Sequence, residues 1–557
     1  MRQILLPLTF GWVSMLGTPL RAAAPFPALV PKPVKTEAEA GRFELSRQTV
    51  LVAGPGAEAE ARRLADSLKA ATGFSLPVMA GEAHSRAIVL RLDKSLAPRL
   101  GTEGYLLVVT PKGVSIRAAE ATGLFYGGIT FQQLLPPEIF SRGRVAGVSL
   151  AVPGSDSNNG RRTPTPRMVW SAPCARLEDY PRFAWRGLLL DVARHYMPPE
   201  FIKQLVDLLA LHKMNVLQLH LTDDQGWRLE IKKHPRLVQV GSTRKESPQH
   251  GNRDAGDGTP YGPFFYTQDQ MRELVAYAQA RHVTIVPEIE MPGHFLAALT
   301  AYPQLSCTGA PFEVRTRWGV EPDILCAGND QAIEFALDVL GEVLEVFPGE
   351  FIHIGGDEAP KDRWKKCGKC QARIKAEGLK NEEALQGWFN HRLEDFLAGK
   401  GRRLIGWDEI LEGGLPPRTA VMSWRGIAGG IAAANAGHDV VMSPTSHCYF
   451  DYAQAKGPDE PEAIGGFIPL ATVYAFEPIP PELPADQRRH ILGAQGNVWT
   501  EFIWTPKDAE YFAFPRGAAL AEVLWTPAEG RDYVDFLSRL GAHCRRLDQL
   551  AVNYRPL

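Results

Sequence analysis

Cysteine is scarce: seven in 557 residues. That excludes a disulfide scaffold, and the odd number leaves at least one thiol free if the others pair. Charge of one sign is also missing. Lys and Arg total 61 against 63 Asp and Glu, a formal net charge of -2, so neither nucleic acid nor an anionic membrane is an expected partner. No long unbroken apolar run is present. The most apolar N-terminal stretch, Ile4 to Leu20, is interrupted by Pro7, Gly11, Gly17 and Pro19, which argues against a permanent membrane anchor. Arg2 before that stretch and Ala22-x-Ala24 after it have the form of an export signal. Residues 1–24 are therefore read as a signal peptide, with Pro25 leaving the cut site open, and the chain as periplasmic or secreted. The absence of cysteine before Cys174 excludes lipid attachment near the cut.

The cysteines present carry little chemistry by spacing alone. Cys307 and Cys326 flank a predicted loop, where an oxidised pair suits an exported chain. Cys367-Gly-Lys-Cys370 is a lone CxxC with no second CxxC or CxxH after it. A local disulfide or plain thiols are expected there rather than a metal site. The pairing of Cys174, Cys448 and Cys544 is left open.

The length calls for more than one domain. Hydrophobic content of 45% and charged content of 22% are those of a globular protein. Residues 25–180 alternate β-prone runs such as Val50-Leu-Val-Ala with helical spacing over Glu58 to Thr72 and Ala121 to Leu135. They read as a small α+β domain without clustered His, Cys or paired acids, and Arg142 to Arg167 reads as loop. From residue 181 to 557 the pattern becomes strand, loop, helix, repeated. Eight apolar strands are predicted, beginning at Arg186, Met214, Val283, Phe351, Arg403, Thr419, Asp439 and Ile491. Amphipathic helices fill most gaps, one of them spanning Asp508 to Leu524, and Tyr533 to Leu550 closes the chain. Eight such units imply a closed (β/α)8 barrel.

A barrel of this kind builds its active site at the C-terminal strand ends. Here those ends carry polar, acidic or aromatic residues, and four of them bear Trp227, Trp407, Trp424 and Trp499. Strand four reads E-F-I-H-I-G-G-D-E. Adjacent side chains on a strand face opposite ways, so Asp357 and Glu358 can share one site only if Gly355 and Gly356 take the backbone out of strand geometry. Carboxylates among tryptophans point to a sugar site. Glycoside hydrolysis ordinarily sets two carboxylates apart across the scissile bond. Two adjacent acids sit on one side of it, which favours a substrate that supplies its own nucleophile.

The stretches H-I-G-G-D-E, D-V-A-R-H, H-L-T-D-D-Q-G-W-R, P-E-I-E-M-P-G-H and G-N-V-W-T-E together resemble family 20 glycoside hydrolases, the β-N-acetylhexosaminidases, over about Phe183 to Trp525. The resemblance implies a retaining, exo-acting enzyme working by substrate assistance, without metal or cofactor. Its partners would be N-acetylhexosamine-containing glycans or chitooligosaccharides. By motif, Glu358 is the expected general acid/base, with a raised pKa to hold its proton. Asp357 would orient the acetamido group and stabilise an oxazolinium intermediate. Tyr449 would bond the acetamido oxygen, and Trp407, Trp424 and Trp499 would wall it in. Arg194, Asp451 and Glu501 would hold sugar hydroxyls, with Asp223 and His294 tuning Glu358. Asp191 and His195 read equally as structural partners or substrate contacts, and His353 as a core histidine. Trp227 and Trp318 suit packing or an outer subsite. Asp408, Glu409 and Arg425 are left outside the site as a salt-bridged loop. Glu290 departs from the Asp of many relatives. A lacto-N-biosidase, a chitobiase and an inactive glycan-binding protein are the alternatives, and oligomeric state is open.

Overall fold

The computed structural model describes residues 26–81, 85–141 and 168–557. The signal-peptide reading, and the loop reading of 142–167, lie outside the described residues. The N-terminal domain is a seven-stranded mixed sheet. Its strands Tyr105–Thr110 and Gly113–Ala118 alternate buried and less buried residues, as a sheet covered on one face requires. The helices Glu58–Thr72 and Ala121–Leu134 cover that face through Leu64, Leu68, Leu124 and Phe131. Three strands were not anticipated: Lys35–Glu44, Val78–Ala80 and Ser171–Asp179. The first, K-T-E-A-E-A-G-R-F-E, is rich in residues that disfavour strands. It is held by antiparallel pairing to Ser171–Asp179 rather than by its own preference.

All eight predicted barrel strands are present and form one closed parallel barrel. They are Trp185–Asp191, Val216–His220, Thr284–Glu288, Phe351–His353, Arg403–Trp407, Ala420–Ser423, Val440–Met442 and Ile491–Val498. The last pairs with the first from Gly493↔Trp185 to Val498↔Leu190, which removes any free edge. Trp185, Leu189, Val216, Val286, Ile405 and Met422 are among the side chains of a packed cluster drawn from these strands, so the barrel is filled rather than hollow.

Two readings need correction. The single helix over Asp508 to Leu524 is two, Pro506–Ala513 and Arg516–Trp525. Pro515 lacks the N–H that would continue the first helix and forces Phe514 into an extended conformation, φ -118 and ψ 143. The cysteines also differ from expectation. All seven are free of disulfides, and Cys307 and Cys326 do not pair with each other. Instead they meet Cys367 and Cys370 in one buried group.

The two domains share buried ion pairs. Lys213 Nζ lies 2.6 Å from Asp179 Oδ2, with both side chains essentially inaccessible. Tyr105 Oη donates to Asp179 Oδ2 (2.5 Å) and Trp525 Nε1 to Asp179 Oδ1 (2.8 Å). Arg186, fully buried on the first barrel strand, forms a two-pronged pair with Glu103 at 2.7 and 2.9 Å. Among the described residues no helix is long and apolar enough to cross a membrane.

Candidate active site

The fourth strand ends where its apolar run meets Gly355 (φ 65) and Gly356 (φ 92), both in conformations that favour glycine. Glu358 follows at φ 43, a left-handed geometry that costs a non-glycine residue about 1–2 kcal/mol. Gly355 has a second reason to be glycine. A Cβ there would sit 1.7 Å from Glu290 Oε2. The carboxyl of Glu290 lies under the turn, accepting from Gly356 N–H (3.3 Å). Burial, together with Asp357 and Glu288, keeps its carboxyl well above the usual carboxylate range.

Asp357 and Glu358 thus leave the strand together and face one pocket of about 760 Å³. Arg194, His294, Trp318, Trp407, Trp424, Tyr449, Asp451, Trp499 and Glu501 also line it. Every predicted pocket residue is there. Asp223 lies behind it, against His294. His294, itself at φ 46, joins the two layers. Its Nδ1 is 3.3 Å from Asp223 Oδ1 and its Nε2 is 3.4 Å from Glu358 Oε2 and 3.9 Å from Asp357 Oδ2. Burial opposes charge on this imidazole, but Asp223, Asp224 and Glu358 raise its pKa well above the ordinary value.

That histidine overturns one expectation. The pKa of Glu358 is lowered, first by its hydrogen bond to His294, against a smaller opposing effect of burial. The raised acid is Asp357, buried and close to Glu288 and Glu358. A raised Glu358 was expected, yet the His294 imidazole sits nearer Glu358 than Asp357 and decides its sign.

Arg194 is anchored on three sides. It reaches Asp191 (3.1 Å), Asp223 (2.8 Å) and Gln225 (3.1 Å), with Glu501 at 3.7 Å and the Trp499 ring beneath it at 5.3 Å. Asp191 also accepts from the backbone N–H of Ala193, Arg194 and Thr500. His195 bonds Thr500 and packs on Trp504, and burial lowers its pKa to about 3. Neither is among the residues that line the pocket. His353 is a buried histidine 3.2 Å from Glu288. Trp227 packs on Phe295 away from the pocket, whereas Trp318 lines it.

Two carboxylates given no role hold the tryptophan walls. Trp407 Nε1 donates to Glu288 Oε1 (2.8 Å), which is fully buried beside His220 and His353. Trp424 Nε1 donates to Glu409 Oε2 (2.8 Å), while Asp408 and Arg425 form the expected salt bridge at 2.6 Å. Trp424 and Tyr449 lie nearly parallel, centroids 6.1 Å apart. Three buried carboxylate oxygens of pocket-lining residues, Asp357 Oδ1, Asp451 Oδ1 and Glu501 Oε2, have no hydrogen-bond partner within the protein. Buried acceptors are costly to leave so, and a ligand rich in O–H and N–H groups would satisfy them. His294 has ligand-type atoms close to those of Asp223 and Asp224 on one side and of Asp357 and Glu358 on the other.

Residues 183–528 match the model of glycosyl hydrolase family 20, catalytic domain, and residues 26–154 match that family's domain 2. The chain belongs to glycosyl hydrolase family 20. It is 46% identical to a β-hexosaminidase of Porphyromonas gingivalis over 94% of its own length, and spans 64% of that relative. A β-N-acetylhexosaminidase of Cellulomonas fimi is 33% identical, with 95% of each chain covered. Among solved structures, the family 20 β-N-acetylhexosaminidase of Streptomyces coelicolor superposes with a TM-score of 0.79 at 31% identity, covering 96% of this chain and 98% of that one. The Vibrio harveyi exo-β-N-acetylglucosaminidase in complex with N-acetylglucosamine gives 0.80 at 31% identity, covering 97% and 81%. The chain is therefore a glycosyl hydrolase with both domains of this family. Glu288 and Glu409, the carboxylates that accept from Trp407 and Trp424, were not given a site role by motif reading. The signal for Glu288 was a lone acid closing an apolar strand, which must find a partner when buried.

Proposed function

We propose that this chain is an exo-acting β-N-acetylhexosaminidase that removes terminal N-acetylglucosamine or N-acetylgalactosamine with retention, using the substrate's own acetamido group as nucleophile. The observation that carries the reading is the placement of the two acids. Ligand-type oxygens of Asp357 and Glu358 come within 4.8 Å of each other. An inverting pair needs roughly 6.5–9.5 Å to admit water between its carboxylates. Consecutive residues on one strand end also approach the sugar from the same side. Neither acid is then placed for backside attack while the other protonates the leaving oxygen.

In this mechanism Asp357 accepts the acetamido N–H through its unpartnered Oδ1 and turns the carbonyl oxygen toward the anomeric carbon. Tyr449 donates to that carbonyl, and Trp407, Trp424 and Trp499 exclude water around it. Developing positive charge on the cyclised acetamido group is met by the Asp357 carboxylate. Glu358 protonates the leaving glycosidic oxygen and then removes a proton from the water that opens the intermediate. Filling the pocket excludes water from the partly exposed Glu358, which favours its neutral form. Arg194, Asp451 and Glu501 grip the hydroxyls of the terminal sugar. Glycans ending in N-acetylhexosamine are the proposed substrates, and the N-terminal signal pattern supports an exported enzyme.

The test compares a chromogenic N-acetyl-β-glucosaminide with the matching β-glucoside, for wild type and Glu358→Gln. Turnover of only the acetamido sugar, lost in the variant, is expected. Equal turnover of both sugars would sink acetamido participation. Binding without turnover of either would make the chain a glycan-binding protein.

A further inference from the structure

Four of the seven cysteines converge on one point outside the sugar pocket. Cys307 Sγ lies 3.8 Å from Cys370 Sγ, and Cys326 Sγ lies 3.7 Å from Cys367 Sγ and 3.6 Å from Cys370 Sγ. All four sulfurs fall within 4.8 Å of one another. A disulfide would bring a pair to about 2.05 Å. A tetrahedron of thiolates about 2.3 Å from a central zinc has sulfur–sulfur edges of about 3.8 Å, from the same bond length. The measured separations are those edges. They are too short to wrap a multi-iron cluster, and an all-sulfur tetrahedron selects a soft divalent ion.

The backbone around the sulfurs is shaped for this. The bridge Ser306↔Leu325 sets Cys307 and Cys326 side by side. Cys367 caps the helix Gly368–Ala376, so the CxxC spans its first turn. Gly328 wedges the second pair of chain segments together. A Cβ on it would lie 2.3 Å from Cys370 N and 2.3 Å from Lys369 C. Trp364 Nε1 donates to Leu325 O (2.9 Å) and Arg363 pairs with Asp323 (2.8 Å), closing the same seam. Cys326 and Cys370 are wholly inaccessible and Cys367 nearly so. Lys365 and Lys366 precede the CxxC and Lys369 lies within it, which suits the net negative charge of a divalent ion with four thiolates.

We propose that Cys307, Cys326, Cys367 and Cys370 bind one zinc ion as a structural clamp. The clamp joins two active-site loops. The segment between Cys307 and Cys326 carries Arg317, Trp318, Gly319 and Val320 to the pocket wall. Cys367 and Cys370 belong to the loop and helix that follow Asp357 and Glu358. The ion therefore fixes the outer wall against the strand end that bears the paired acids, without touching substrate.

Metal analysis of the full-length protein, purified without chelator, should find one zinc per chain. Exchange with Co2+ should give the intense thiolate-to-cobalt absorption of a tetrahedral site. Cys370→Ser and Cys326→Ser should lose the metal, whereas Cys174→Ser, buried in the N-terminal domain, should keep it. Alkylation of the denatured, unreduced wild-type chain covers failure of the variants to fold. All four cysteines reacting, with one equivalent of zinc released on unfolding, supports the clamp. Two disulfides among the four, or four free thiols with no bound metal, overturns it. Stoichiometric iron would overturn the zinc assignment.

Discussion

Gly355 and Gly378 provide a matched pair for asking what the turn before the paired acids costs. Both have φ 65. A Cβ on Gly378 would meet nothing within 4 Å, while one on Gly355 would strike the Glu290 carboxyl at 1.7 Å. Gly378→Ala should therefore lose only the left-handed backbone term, about 1–2 kcal/mol. Gly355→Ala adds overpacking of a filled interior, about 1–3 kcal/mol. It also breaks the hydrogen bonding of a buried carboxyl, about 1–3 kcal/mol more. The expected difference between the variants is roughly 2–6 kcal/mol, the sum of those two terms. Urea unfolding monitored by tryptophan fluorescence would read it as a difference in midpoint at unchanged slope. Because Glu290 supports Asp357, Gly355→Ala should also lose about 100-fold or more in kcat/KM, the penalty of an ångström-scale misplacement, and Gly378→Ala should keep full activity. Equal destabilisation of the two variants, or full activity in Gly355→Ala, would refute the claim that Glu290 and not φ alone dictates glycine there.

The Glu409 carboxyl is raised from 4.5 to about 8 by burial and Asp357. The folded state then holds a proton that the unfolded state has lost, so this group's contribution to stability falls as pH rises from about 4.5 to about 8 and is flat above. Thermal melts of Glu409→Gln should gain on wild type across that window, and parallel melting curves at every pH would count against the assignment. Arg194→Lys cannot reproduce three anchored contacts and should lose about 10–100-fold in kcat/KM, as removal of charge-assisted hydrogen bonds would; an unchanged inhibition constant for N-acetylglucosamine would contradict a role in gripping the sugar. Lys213→Met strands Asp179 without its 2.6 Å partner, and should cost about 3–5 kcal/mol; an unaltered melting temperature would show the pair to be idle.

The barrel was legible because its strands are short apolar runs, each ending abruptly in charge or tryptophan. Phe351-Ile-His-Ile followed by two glycines and two acids could be read almost atom by atom: the glycines do leave strand geometry, and Asp357 and Glu358 do face one pocket. What escaped was set by contacts between distant segments. Lys35–Glu44 is a strand only because a partner pairs with it. The sign of the Glu358 shift depends on His294, which arrives from another strand. Glu409 was set aside as a loop acid, since nothing in Trp-Asp-Glu says which carboxylate turns inward to Trp424. The cysteine quartet was invisible for the same reason. Two of its members are isolated in sequence, and only folding brings them to the CxxC.

The buried pairs that cross between the domains bear on how such a chain can change over generations. Lys213 and Arg186 belong to the barrel, yet the carboxylates that neutralise them, Asp179 and Glu103, belong to the sheet domain. A barrel inherited alone would carry two uncompensated cations in its wall. The sheet domain, which brings no chemistry to the pocket, is thus a counterion supply that the catalytic half cannot shed. Recombination should conserve the two halves as a single heritable unit, with additional modules accumulating outside it.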